Sequence, residues 1–270
     1  MSAIPSPMRS APLPARAPSL PDAPVLRRVL GVPVHATSYA DATARILAWA
    51  AAGEGRVVCA TGAHGVIEAQ DDPVFRAALE AADLVVPDGM PLVWALRHQG
   101  VPHASRVYGP ELTTHVLRAA ARAGLPVAFY GSTGETLAAL RARLPALAPG
   151  LTIAAAISPP FRPLTEEEDA AYARQLSASG ARLVFVGLGC PRQELWCARQ
   201  RARLPAVLLA VGAAFDFHAG RLRQAPPALQ RLGLEWAFRL AVEPRRLWRR
   251  YARVVPRFAL GYARQAIRTR

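Results

Sequence analysis

Residues 83–112 have the sequence DLVVPDGMPLVWALRHQGVPHASRVYGPEL, and the fold can be worked out from this stretch. The apolar run at 84–86 is typical of the end of a buried strand, which 87–89 terminates because proline fixes the backbone and glycine permits a tight turn. Pro91 then fits the first turn of a helix. Asp88 is thereby predicted to lie at a strand-to-helix junction, where open α/β sheets bind ligands. The alternative is that Asp88 only caps the helix.

The alternation of strand and helix continues outward from this junction. Apolar runs of the continuous kind found inside parallel sheets are separated by helical segments, and they occupy residues 56–60, 126–130, 151–157, 182–188 and 206–211. The fold class predicted is therefore α/β, a Rossmann-like, mainly parallel sheet with helices on both faces, followed by a basic C-terminal helical appendage.

The two ends of the chain differ in composition from the alternating part. Residues 1–24 contain seven prolines among serines and alanines, which predicts a disordered tail. Residues 25–230 are predicted to form the α/β core. Residues 231–270 carry eleven arginines and two acids, a local net charge of +9, with apolar side chains at helical spacing. Pro244 divides this appendage into two predicted helices, the second of which begins at the proline.

The basic appendage has two interpretations. A basic amphipathic helix can lie on an anionic membrane surface, and the charge density favours this interpretation. Alternatively, its apolar side packs on the core and its basic face is solvated. No apolar run of about eighteen residues predicts a transmembrane helix, and the N-terminus lacks the apolar region of a secretory signal. We therefore expect a cytoplasmic protein that is peripheral on the inner face of the cell membrane.

The basic residues of the chain are all arginines, 33 in number, and the net charge is +14. Arginine binds phosphate and carboxylate groups bidentately, so this charge fits nucleic acid, an anionic membrane or diphosphate substrates. The three cysteines, at positions 59, 190 and 197, lack the spacing of a zinc site. Neither a metal site nor a cofactor is predicted.

Two further strand-to-helix turns contain residues suited to a ligand-binding loop. Thr61, Gly62 and His64 follow the first strand of the series. Gly131 and Ser132 open a turn whose glycines let backbone N–H groups approach a phosphate at the following helix N-terminus. Such turns are also common without a ligand, and His64 can equally be a helix-start residue.

Three further blocks accompany residues 83–112 in a fixed order: GLGCPRQE at 187–194, VGAAFDFHAG at 211–220, and GLEWAFRL with EPRR at 233–246. Together, over roughly residues 32–257, they resemble the WecG/TagA/CpsF family of glycosyltransferases. The resemblance implies an inverting enzyme, independent of a divalent ion, that moves a sugar from a nucleotide donor to a polyprenyl-diphosphate-linked sugar in surface polysaccharide synthesis. The expected donor is a UDP-sugar, for example of the UDP-N-acetylmannosamine type or UDP-glucose.

The resemblance also implies roles for residues at matched positions. Asp88 is implied to be the catalytic base, with Gly89 beside it among the substrate-binding residues, and Arg106 and Gln193 are implied to contact substrate. Asp216 is a weaker candidate for a second acid, because the phenylalanines on either side of it suggest a structural loop. The appendage arginines implied to hold a diphosphate are Arg239, Arg246 and Arg249.

The chain departs from the family pattern at two positions. The asparagine usual in the first loop is replaced by Gly62, so Thr61 or His64 is left to share its role. The family usually has Arg-Ala-Pro where this chain has Gln224-Ala225-Pro226, so one arginine is missing. Arg221 or Arg223 is expected to take its place.

Two other functions stay open as alternatives. A nucleic-acid-binding protein would use the basic appendage, although no recognised binding motif is present. A nicotinamide-dependent oxidoreductase would use the same kind of sheet, but a GxGxxG after the first strand is missing. The expected partners are a nucleotide-sugar donor, a polyprenyl-diphosphate-linked acceptor and an anionic membrane surface, without nucleic acid. A homo-oligomer is left open.

Overall fold

The computed structural model describes residues 22–268. The predicted disordered tail, 1–24, lies outside this range except for its last three residues, which precede the first strand without regular structure. The described chain opens with an antiparallel hairpin of β1 (Val25–Val29) and β2 (Val32–Ala36). The two arginines in β1 interrupt its apolar pattern, so local sequence does not predict this strand.

A six-stranded sheet, parallel throughout, forms the centre of the protein. Its spatial order is β4-β3-β8-β7-β5-β6. The strands are β3 (Arg56–Thr61), β4 (Leu84–Pro87), β5 (Val127–Gly131), β6 (Ile153–Ile157), β7 (Leu183–Gly187) and β8 (Val207–Ala210). The predicted α/β fold class is confirmed.

Helices alternate with these strands along the chain. The first six are α1 (Tyr39–Ala52), α2 (Ala63–Asp71), α3 (Pro73–Glu80), α4 (Met90–His98), α5 (Gly109–Ala123) and α6 (Gly134–Leu147). They are followed by α7 (Glu166–Ala178), α8 (Arg192–Gln200), α9 (Ala214–His218), α10 (Pro227–Arg231), α11 (Glu235–Val242) and α12 (Pro244–Arg268). The start of α12 at Pro244 agrees with the sequence prediction.

Both faces of the sheet carry a buried apolar layer. Side chains alternate along each strand, so that Tyr130 of β5 packs in one layer and Phe129 in the other. Tyr130 stacks on Trp196 with ring centroids 4.3 Å apart, and Phe129 stacks on Phe185 at 5.4 Å. Each such side chain contributes roughly 1.5–3 kcal/mol through burial. This rigid sheet fixes where the loops at the strand ends emerge.

Helix α12 is attached to the core by one face. Leu247, Val254 and Phe258 are buried, and Asp71 at the end of α2 pairs with Arg253 and Arg257. Other apolar side chains of the same helix remain exposed, namely Trp248, Val255, Leu260 and Ile267. The helix thus packs on the core and also presents a mixed basic and apolar surface. Within residues 22–268, no helix has the length and apolar character needed to cross a membrane.

Candidate active site

The loops after β3, β4, β5, β7 and β8 converge at the carboxyl edge of the sheet and enclose a cavity of about 1120 Å³. Helices α11 and α12 cover it from the other side. Helices α2 and α4 both begin at this cavity. Their N-cap residues, Gly62 and Gly89, have no side chain that could accept a hydrogen bond from the first N–H groups of the helix. The first N–H groups and the dipoles of both helices therefore favour a bound anion.

Asp88 lies at the junction of β4 and α4, partly exposed to the cavity. Its backbone N–H donates to the Thr61 carbonyl over 3.0 Å, which ties the two strand ends together. Its Oδ1 accepts the N–H of Gly109, the first residue of α5, over 2.6 Å. The side chain therefore does not cap α4, and Gly89 is the N-cap of that helix.

The environment of Asp88 makes its carboxylate more basic. Burial raises the pKa of the Asp88 carboxyl, and the nearby Arg106 and the Gly109 N–H act in the opposite direction. A carboxylate with a raised pKa accepts a proton more readily than one in water, as a general base requires.

Arg106 is held in a fixed position beside Asp88. Its Nε donates to the Asp88 carbonyl over 2.6 Å, and its guanidinium lies over the Tyr108 ring at 4.0 Å from the centroid. Its Nη1 donates to Gln230 over 3.2 Å, and its Nη2 pairs with the Glu235 carboxylate over 2.5 Å. Both partners come from the C-terminal part of the chain. These contacts therefore connect the C-terminal helices to the loops at the carboxyl edge of the sheet.

Sequence reasoning missed Glu235 and Gln230 as members of the site. Glu235 lies within the GLEWAFRL block, 129 positions from Arg106. The block itself can be recognised in the sequence, but the pairing of Glu235 with Arg106 cannot be predicted from it. Both side chains of the pair are largely buried, 15% exposed for Arg106 and 13% for Glu235.

The end of β3 and the start of α2 supply the three predicted residues Thr61, Gly62 and His64 to the cavity, but in different environments. The Thr61 hydroxyl is buried and has no hydrogen-bond partner among the described residues. A Cβ placed on Gly62 would lie 3.9 Å from Oδ2 of Asp88, so a longer side chain there would reach the carboxylate. Burial, together with Arg250 and Arg253, lowers the pKa of His64 to about 4. The His64 ring is therefore neutral at pH 7, and its 3.3 Å contact with Glu68 is not an ion pair at that pH.

Gln193 connects two of the loops. Its Oε1 accepts the N–H groups of Gly189 and Gly212, each over 3.2 Å, and its Nε2 donates to Glu194 over 3.0 Å. Gln193 lines the cavity while its carbonyl oxygen is fully used by these loops. Its geometry thus fits loop positioning at least as well as the substrate contact predicted for it.

Glu194 is a second carboxyl group at the cavity that sequence reasoning did not select. It is 2% exposed, and its Oε2 has no hydrogen-bond partner among the described residues. Burial raises the pKa of Glu194 to about 7, against the effect of its hydrogen bond with Gln193.

Of the two residues predicted in the turn at the end of β5, one lines the cavity and the other packs against the neighbouring strand. Ser132 lines the cavity with φ of 61°, whereas Gly131 lies behind it. Gly131 has φ of 116°, and a Cβ there would lie 2.6 Å from the Gly187 backbone, so glycine is needed for close strand approach. This geometry gives Gly131 a packing role rather than the ligand contact expected of it.

The three appendage arginines that were predicted to hold a diphosphate do not all lie at the cavity. Arg239 and Arg246 line the cavity, and Arg250 joins them. Arg249 is not part of the lining; its guanidinium lies over the exposed Trp248 ring at 5.5 Å from the centroid. The expectation that Arg249 reaches over the site is therefore not met, because one residue along a helix rotates a side chain by about 100°.

Three candidates remain, and two of them, Arg221 and Asp216, line the cavity. Arg221 lines the cavity and pairs with Glu135 over 2.9 Å, whereas Arg223 does not line it. Asp216 lines the cavity from α9, a short helix where the sequence suggested a loop, and burial raises the pKa of its carboxyl. Among residues 22–268, no group of His, Cys, Asp and Glu side chains is arranged to hold a metal ion.

A parallel α/β sheet whose cavity contains a carboxylate with a raised pKa, open helix N-termini and several arginines is suited to group transfer with anionic substrates. The glycosyl transferase WecG/TagA/CpsF family matches residues 27–270. The chain therefore belongs to this family of glycosyltransferases, whose reaction uses a nucleotide-sugar donor and a sugar acceptor in the synthesis of cell-surface polysaccharide. The resemblance read from the four blocks is confirmed, and it extends further toward both ends than they do.

Proposed function

We propose that the protein is an inverting glycosyltransferase with a UDP-sugar donor, of the UDP-N-acetylmannosamine or UDP-glucose type, and a polyprenyl-diphosphate-linked sugar as acceptor. The observation that carries this proposal is Asp88, a carboxylate with a raised pKa that opens into a cavity rich in arginine. Glycosyl transfer needs such a base for the acceptor hydroxyl, and cationic groups for the leaving nucleoside diphosphate.

In the proposed reaction, Asp88 accepts the proton of the acceptor hydroxyl as its oxygen bonds to the anomeric carbon of the donor. The bond from this carbon to the β-phosphate oxygen breaks, and the electron pair leaves with the nucleoside diphosphate. A single displacement of this kind inverts the anomeric configuration. Arg106, together with the N-termini of α2 and α4, would stabilise the negative charge that develops on the leaving group.

The acceptor lipid places the enzyme at a membrane, and the proposed location is the cytoplasmic side. The appendage supports this, because α12 carries exposed apolar side chains such as Trp248, Leu260 and Ile267 among many arginines. Each arginine near an anionic surface contributes roughly 1 kcal/mol to binding. Peripheral attachment through α12 is thus part of the proposal, while a homo-oligomer stays a prediction from the sequence.

The test is a donor screen with the full-length protein. UDP-sugars are incubated with short-chain polyprenyl-diphosphate-linked sugars, and the products are read by mass spectrometry together with release of UDP. We expect one donor to add a single sugar, with the opposite anomeric configuration. Release of UDP without transfer, or transfer with retention, would contradict the proposal. A panel containing NAD and oligonucleotides is included in the binding measurement, because these ligands are the ones that the alternative functions require.

A further inference from the structure

The cavity beside Asp88 is divided into a polar end and an apolar end. The polar end contains Asp88, Arg106 and the arginines of the appendage. The apolar end, which we call the apolar arm, runs between α4, α11 and α12 and is lined by Trp94, Trp236, Val254, Val255, Phe258 and Ala259. One continuous cavity with this division fits a ligand that is anionic at one end and apolar beyond it.

Two tyrosines of α12, Tyr251 and Tyr262, mark the two ends of the apolar arm. Near the polar end, Tyr251 packs against Trp236 with ring centroids 5.8 Å apart. At the far end, the Tyr262 hydroxyl donates to the Ala95 carbonyl over 3.0 Å, which closes the space between α12 and α4. Eleven residues separate the two tyrosines, so the arm extends over roughly 16 Å of helix.

Charge links the arm to the reaction centre. Burial raises the pKa of Tyr251, and Arg239 and Arg250 oppose this effect, which places both guanidinium groups within electrostatic reach of the start of the arm. Arg239 also acts on Asp88. Arg239 is thus within electrostatic reach of both Asp88 and Tyr251. Arg239 and Arg250 both line the cavity, where they are suited to bind a diphosphate whose sugar reached Asp88 and whose lipid entered the arm.

The arm is open on one side. Trp94 is 48% exposed and Trp236 is 37% exposed, whereas Val254 and Phe258 form a buried floor. Large apolar side chains left in water are unfavourable, and an exposed apolar patch is typical of a binding site. An open side would let a long chain leave the arm toward a bilayer.

We propose that the apolar arm is a subsite for the first isoprenoid units of the acceptor lipid, whose diphosphate lies at the arginines between the arm and Asp88. The subsite rests on the proposed function for the identity of the lipid. It adds that the enzyme recognises the prenyl chain itself, in addition to the diphosphate and the sugar.

The test compares the affinities of the full-length protein for farnesyl diphosphate and inorganic pyrophosphate by calorimetric titration. We expect farnesyl diphosphate to bind at least about tenfold more tightly, since even two methylene groups removed from water are worth this much. Ala259→Trp fills the arm and should remove this advantage without changing pyrophosphate affinity. Ala263→Trp is the matched control, because Ala263 is an exposed alanine on the same helix and is not part of the cavity lining. Val255→Gln, which makes the lining polar, is a second variant should Ala259→Trp lose its native melting temperature.

Three results would overturn the subsite: equal affinities of the unsubstituted protein for the two diphosphates, an unaltered farnesyl preference in Ala259→Trp and Val255→Gln, or equal losses in Ala259→Trp and Ala263→Trp. The last of these, accompanied by equally weakened binding to phosphatidylglycerol vesicles, would mean that the apolar side chains contact the bilayer surface instead. The proposed function fails separately: a farnesyl preference that depends on Ala259, with no sugar transfer from any donor, supports the subsite and overturns the transferase reaction.

Discussion

Among the described residues, four carboxyl groups line the cavity, and three of them, those of Asp88, Glu194 and Glu235, lie in clearly different environments. Asp88 accepts one backbone N–H and opens to the cavity, Glu235 is paired with Arg106, and Glu194 is buried with one oxygen unpartnered. A free, basic carboxylate suits proton transfer, a paired one suits positioning, and a buried one is expected to hold a proton at neutral pH more readily than in water. The roles of the three residues are therefore separable by substitution.

Glu194→Gln should change the pH dependence of stability. Because burial raises the pKa of Glu194 from 4.5 to about 7, the folded protein keeps a proton between these pH values that the unfolded chain releases. The free energy of unfolding should consequently fall as pH rises through this window, by about 3 kcal/mol at most from this residue. Glutamine resembles the protonated acid and still accepts from Gln193, so the variant should lack this part of the fall.

The measurement for Glu194 is urea unfolding of both proteins at pH 5 and pH 8. The difference in unfolding free energy between the two pH values should be smaller in Glu194→Gln than in the unsubstituted protein. Identical differences would show that the carboxyl group is not protonated in the folded state.

Glu235→Ala should impair catalysis through Arg106. Removing the carboxylate leaves the Arg106 guanidinium with Gln230 and the Asp88 carbonyl, so the guanidinium is less firmly oriented. We expect kcat/KM to fall roughly tenfold, in line with the loss of a charge-assisted hydrogen bond, and Glu235→Gln to restore part of it.

The control for Glu235 is Glu80→Ala, which breaks the exposed pair of Glu80 with Arg28, far from the cavity lining. Such exposed pairs contribute about 0–1 kcal/mol, and no change in kcat/KM is expected. A positioning role for Glu235 would be ruled out if kcat/KM stayed constant in Glu235→Ala while only the melting temperature fell.

At the scale of elements, the helices of the appendage direct their arginines to different surroundings. Helix α11 and the first turns of α12 turn Arg239, Arg246 and Arg250 toward the cavity, whereas Arg249 lies over Trp248 on the exposed side. Further along α12, Arg253 and Arg257 attach the helix to α2 through Asp71. A single helix thus combines attachment to the core, a contribution to the site and an exposed basic surface.

Arg239→Ala and Arg246→Ala should lower turnover more than Arg249→Ala. A lost charge-assisted contact to a diphosphate is worth about 1.5–3 kcal/mol, or roughly ten- to a hundredfold in rate. All three substitutions remove one positive charge, so their effects on binding to anionic vesicles should be similar. Initial rates and vesicle sedimentation, measured on the same three variants, separate the two effects. An Arg249→Ala variant as slow as Arg239→Ala would contradict this placement of the arginines.

At the scale of the whole molecule, the fold followed from the sequence more completely than the site did. The continuous apolar runs, each followed within two residues by glycine or proline, predicted the strands of the parallel sheet and so the edge at which Asp88 lies. β1 was missed because arginines interrupt its pattern. The pairing of Arg106 with Glu235 depends on tertiary packing between distant segments, and the choice between Arg249 and Arg250 depends on the rotation of α12 about its axis. Neither is contained in local patterns of residues.

The sheet and the appendage together explain why one cavity contains a base, cations and an apolar arm. The carboxyl edge of the sheet contributes the carboxylate and the helix N-termini, and the appendage contributes arginines and aromatic side chains. Because the two sets of residues are joined through Arg106 and Glu235, neither set is expected to be sufficient for transfer alone.

The role of Asp88 as the base is decided by the initial rate of sugar transfer by Asp88→Asn, measured with the donor and acceptor found in the screen. Asparagine can still accept the Gly109 N–H, so the melting temperature and the affinity for UDP should stay close to those of the unsubstituted protein. The rate should fall by about a hundred- to ten-thousandfold, as expected for loss of a general base. A folded Asp88→Asn variant that transfers sugar at nearly the full rate would contradict the account.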